Sequence, residues 1–80
     1  MAVYRDGTPC QELDRARGPV LKVPGVREGI VVCVINESGR SNCYLAYTDV
    51  VRAGGSMAAV PVVTTVISVC TSSELEKVVD

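Results

Sequence analysis

Four cysteines, Cys10, Cys33, Cys43 and Cys70, are the side chains of this sequence best able to do chemistry, and there is no histidine to activate them. A thiol acts as nucleophile or metal ligand only as the thiolate, which near neutral pH requires a neighbouring cation, base or metal. None of the four stands beside a basic cluster, and none forms a CxxC pair, so neither thiol catalysis nor a zinc site has its usual spacing. Without His there is no Ser-His-Asp arrangement and no imidazole base. The carboxylate pairs Glu12 with Asp14 and Glu74 with Glu76 read as solvated surface charge, and Gly54-Gly55 lacks the Lys-Ser or Lys-Thr that completes a phosphate loop. The expectation is no enzyme, no cofactor and no metal. Disulfide formation, or burial as small apolar groups, remains for the cysteines.

Two of them lie on the arms of an expected β-hairpin, Gly29–Ile35 and Cys43–Tyr47, joined through the polar stretch Asn36–Asn42. Asn36-Glu37-Ser38-Gly39 suits a type I turn followed by a left-handed glycine, a common three-residue hairpin loop. That loop pairs Asn36 with Arg40 and sets Cys33 directly opposite Cys43 at a narrow, non-hydrogen-bonded site, where Cα atoms lie about 4.5 Å apart. A two-residue Ser38-Gly39 turn would instead set Cys33 against Tyr44; the three-residue loop is preferred because Gly takes positive φ more readily than Ser. Cys33 and Cys43 are therefore the candidate disulfide or opposed thiols, leaving Cys10 and Cys70 near the ends, with four buried thiols as the alternative.

The elements that must position these residues are built from unusual material. Eighty residues contain no Trp, no Phe and only three Tyr, and a fifth of the chain is valine. β-Branched side chains favour strands. A domain of this length buries only about 60 to 65% of its unfolded surface and usually needs a disulfide, a metal or a partner subunit. Net charge is −1, with Arg and Lys scattered, so there is no basic stripe for nucleic acid. The start, Met1 to Gly7, has no apolar core of a signal peptide, which places the chain inside a cell or on a virion if Met1 is native and outside if a leader was removed.

Residues 1 to 28 read as irregular, an arm with a turn at Asp6-Gly7 and a short helix over Pro9–Arg17, begun by Thr8-Pro9 and stopped by Gly18-Pro19. Val20–Val23 is a short strand candidate ended by the turn dipeptide Pro24-Gly25. Residues 29 to 71 form the β core, with a break at Ala53–Ser56. No charge occurs from Ala53 through Cys70, but Gly, Ser, Thr and Pro61 interrupt this run, so a strand over Val62–Thr71 is preferred to a membrane anchor. Both faces of that strand are mildly apolar, which marks Val62, Val63, Val66, Ile67 and Val69 as a candidate interface. Ser73-Glu-Leu-Glu76 resembles a capping box and predicts a short helix over 72–80.

The stretch Val31–Ala46, with Cys43-Tyr44 after a polar turn and a late Cys70, resembles the hairpin of tendamistat-type α-amylase inhibitors, small secreted β-sandwiches with two disulfides. That resemblance implies a bridge from Cys43 to Cys70. The chain departs from the family in lacking its Trp-Arg-Tyr inhibitory motif and in the spacing of Cys33.

The expected architecture is a single mainly β domain, a small antiparallel β-sandwich or partly open barrel with short terminal helices. The expected role is a non-enzymatic structural or assembly protein that forms a homo-oligomer or decorates a larger particle such as a virion, with protein partners and neither nucleic acid nor membrane. The alternatives are a small secreted, disulfide-stabilised binding or inhibitor protein, and an intracellular adaptor that inhibits a partner enzyme.

Overall fold

The expected hairpin forms the centre of the fold in the structure, a computed structural model that describes residues 1–35, 40–53 and 60–79. Strand β1 spans Arg15–Val20, β2 Val23–Val34, β3 Cys43–Ala53, β4 Val60–Cys70 and β5 Glu76–Lys77. All neighbours are antiparallel, in the order β4-β3-β2-β1-β5. The protein is mainly β, a five-stranded open antiparallel sheet.

Strand alternation divides this sheet into two unlike faces. One carries Ala16, Val20, Val31, Cys43, Leu45, Tyr47 and Cys70, all buried, and it is covered by Ala2, Tyr4 and Cys10 from the N-terminal loop and by Leu75. The other face has no cover among the described residues.

Several expectations are corrected. No helix forms over Pro9–Arg17. Val3 pairs with Pro9 in an isolated bridge, Tyr4 N–H donates to Thr8 O at 2.8 Å, and Leu13 takes φ 75°, which no α-helix accommodates. The thin apolar stripe of that segment offers a helix little to bury, whereas the loop buries Tyr4 and Cys10. The strand expected at Val20–Val23 is instead a turn, with Leu21 and Lys22 between the paired residues Val20 and Val23 and Lys22 at φ 63°. Pro24-Gly25 sits within β2 where the register with β1 shifts, with Gly25 at φ 83°, so the turn dipeptide makes a bulge. Residues 72–80 give no α-helix: Ser72–Glu74 is a single 3-10 turn, and the chain then extends into β5, where Glu76 pairs with Arg17. Leu75 is buried beneath Gly18, where a Cβ would meet Leu75 Cδ2 at 2.7 Å.

The hairpin register is corrected as well. Ile30 pairs with Ala46 and Val31 with Leu45, as the three-residue loop requires, but a bulge follows, and Cys33 pairs with Tyr44 and Val34 with Cys43. Cys33 does not face Cys43. The turn Asn36–Gly39 itself and the break at Gly54–Ser56 lie outside the described residues.

Candidate interaction face and buried thiol cluster

The uncovered face is made where β2, β3 and β4 present alternate residues away from the core. Its apolar members are Ile30 (38% exposed), Val50 (57%), Val63 (70%) and Ile67 (60%), joined by the half-buried Tyr44 and Val69. The pairings Val50 with Val63 and Ala46 with Ile67 place these residues side by side across β3 and β4, and Ile30 joins them through its pairing with Ala46. A shallow groove of about 360 Å³ crosses this face, lined by Ile30, Ala46, Thr48 and Thr65, with the Arg15–Glu28 ion pair (3.4 Å) also on its wall.

The face changes character across the sheet. On β1 and β5 it carries Arg17 and Glu76, which pair at 3.2 Å. β4, at the sheet edge, has no charged residue along its length, and Pro61 near its start fits an edge, where a missing N–H costs little. Natural edges are often blunted by charge; this one has none and is instead marked by Pro61 near its start and capped at Val69, whose carbonyl accepts from Leu21 N–H at 2.9 Å.

The five residues marked from the sequence divide between the faces. Val63, Ile67 and Val69 belong to the open one. Val62 and Val66 belong to the other: Val66 packs against the core, and Val62 remains exposed farther along the strand. Ile30 and Val50 were not anticipated, although each alternates with polar or smaller neighbours in Glu28-Gly29-Ile30 and Thr48-Asp49-Val50.

Under the covered face lies a second cluster. Cys43 and Cys70 are directly opposite in the β3–β4 ladder, both buried, with sulfurs 3.4 Å apart and unbonded. The Cys43 S–H reaches the Cys70 carbonyl at 3.4 Å, and the Cys70 S–H reaches the Cys43 carbonyl at 3.7 Å. Cys10 is buried in the same core cluster as Tyr4 and Cys43, and its thiol pKa is pushed up by burial. Tyr4 donates to Asp14 Oδ2 at 2.8 Å, and burial together with that hydrogen bond raises its phenol pKa. Cys43 is held up by its hydrogen bond to Cys70 and by burial, while the same bond lowers Cys70. Cys33 is exposed and outside the cluster.

Among the described residues no group of three or more Cys, Asp or Glu is placed to hold a metal ion, and no helix is long and apolar enough to cross a membrane. No protein-family model, curated protein or solved structure matches this chain.

Proposed function

We propose that this chain is a non-enzymatic assembly subunit whose open sheet face is covered by a second copy of itself. The observation that carries the reading is the exposure of Ile30, Val50, Val63 and Ile67, interleaved with the Thr48–Thr65 pair, on the face of the sheet opposite the core. An antiparallel sheet that leaves one face in water ordinarily makes it polar; on this one Ile30, Val50, Val63 and Ile67 stand exposed beside only a few polar residues such as Thr48 and Thr65. Packing two such faces together at about 10 Å spacing gives the two-layer β-sandwich that the composition favours, completed between molecules. A two-fold arrangement suits the surface because Ile30, Val50, Val63 and Ile67 are uncharged and the pairs Arg15 with Glu28 and Arg17 with Glu76 are already satisfied within the chain.

The uncharged β4 edge offers a further contact, through which the dimer extends or seats on a larger particle such as a virion. Native mass spectrometry and sedimentation equilibrium of the reduced full-length chain test the reading. A discrete oligomer is expected. A folded monomer persisting at high concentration would overturn it.

A further inference from the structure

The geometry points to Cys43 and Cys70 as a cross-strand disulfide site, oxidised by exchange with a small-molecule disulfide, that fastens β4 to β3 at the root of their hairpin. The inference stands on the ladder register and is independent of the assembly reading. Directly paired residues of an antiparallel ladder have Cα atoms about 4.5 or 5.5 Å apart, and both values fall within the range of bridged cysteines. The sulfurs, 3.4 Å apart, need approach by only about 1.4 Å to reach the S–S bond length near 2.05 Å. Cys33 has no such counterpart: it pairs with Tyr44 and is exposed.

Access differs slightly between the two residues. Cys43 is fully enclosed, whereas Cys70, 4% exposed, borders a cleft of about 210 Å³ together with Val20, Leu21, Lys22, Ser41 and Thr71. Exchange therefore begins at Cys70. Its thiolate attacks one sulfur of the incoming disulfide, that S–S bond breaks, and the departing half takes up the proton Cys70 released. Cys43, as thiolate, then attacks Cys70 Sγ in the mixed disulfide, and the second half leaves with the proton from Cys43. Two protein thiols are oxidised to one disulfide and one small-molecule disulfide is reduced to two thiols. The hydrogen bond from Cys43 favours ionisation of Cys70 first, consistent with this order.

Cys10 is the competing partner, since it is buried in the same core cluster as Cys43. Tryptic cleavage after Arg5, Arg15, Arg27, Arg40, Arg52 and Lys77 leaves each cysteine on its own peptide, so the pairing can be read directly. The full-length reduced chain is incubated with oxidised glutathione, its free thiols are alkylated, and non-reducing digests are mapped by mass. The expected product is residues 41–52 linked to 53–77, formed equally in the Cys10→Ala variant. Four free thiols, a lasting glutathione adduct on Cys70, or Cys43 linked to Cys10 or Cys33 would each overturn the assignment. Oxidised chain is expected to melt about 10 °C or more above reduced chain, because the bridge closes a long loop in the unfolded state. Equal melting temperatures would refute the fastening role.

Discussion

Tyr4 does more for the covered face than its place in a loop suggests. The ring is almost wholly buried, and its hydroxyl donates to an Asp14 carboxylate oxygen that also accepts from Gln11 N–H at 3.1 Å. Removing the hydroxyl in Tyr4→Phe should cost about 1 to 2 kcal/mol, whereas Tyr4→Ala, which also empties the ring's site, should cost about 3 to 5 kcal/mol. Urea titration of both variants checks the ratio, and equal losses would mean the ring is poorly packed. The same cluster sets an alkaline limit. Burial raises the Tyr4 phenol and the Cys10 thiol, and burial with the Cys70 hydrogen bond raises Cys43. A folded-state pKa raised above its unfolded value supplies stability that is complete below the unfolded pKa and lost as pH rises toward the folded one. Cys70 works in the opposite direction, one lowered group against three raised ones. The melting temperature of reduced protein should therefore fall as pH rises from about 8.5, the unfolded thiol range, toward 11. A thermal scan series showing a flat or rising melting temperature over that window would refute this account.

Two glycines decide how closely the elements approach. A Cβ on Gly29 would run into the Ala46 carbonyl where β2 meets β3, and a Cβ on Gly18 would lie 2.8 Å from the Glu74 carbonyl and 2.7 Å from Leu75 Cδ2. The backbone obstacle at Gly29 cannot swing aside as a side chain can. Gly29→Ala should therefore cost about 3 kcal/mol, and Gly18→Ala about 1 to 3 kcal/mol; chemical denaturation of each measures the difference, and a neutral Gly29→Ala would show that the strands separate freely. At this scale the sequence was partly legible. Valine content and the polar Asn36–Asn42 stretch located β3 and only the second half of β2, and the uncharged run after Ala53 located β4; β1 at Arg15–Val20 and the start of β2 at Val23–Glu28 fell in the stretch read as an irregular arm. The preferred three-residue loop gave the register only as far as Val31; beyond the bulge the pairing of Cys33 with Tyr44 is the one the alternative two-residue turn named, and no local rule made the two registers follow one another along the same strand. The apposition of Cys43 with Cys70 depends on the β3–β4 register, which the Gly54-Gly55-Ser56 break does not specify; the sequence pointed to it only through the inhibitor resemblance. Helix signals at Thr8-Pro9 and Ser73 were real local preferences overridden by burial of Tyr4 and Leu75.

The whole molecule measures 49 × 27 × 18 Å, a long thin slab whose core occupies one side of a sheet. A slab of this kind hides little apolar surface for its length, and the exposed valines and isoleucines of β2, β3 and β4 are the surface still available for burial. Ile67 is the most informative probe because it lies on the open face and contributes nothing to the covered core. Ile67→Lys should leave monomer folding within about 0.5 kcal/mol of the parent, as surface substitutions usually do. In a two-fold assembly the lesion is counted twice, so losing two buried isoleucines and facing two like charges should weaken association about a hundredfold or more. Salt provides the independent check. Contacts among Ile30, Val50, Val63 and Ile67 have no Coulomb attraction to screen, so the parent's association constant should change little between about 0.05 and 0.5 M sodium chloride. Sedimentation of parent and variant at both ionic strengths separates the outcomes. Association that collapses in high salt, or that survives Ile67→Lys unchanged, would place the contact on the Arg and Glu side of the sheet instead of on the apolar face.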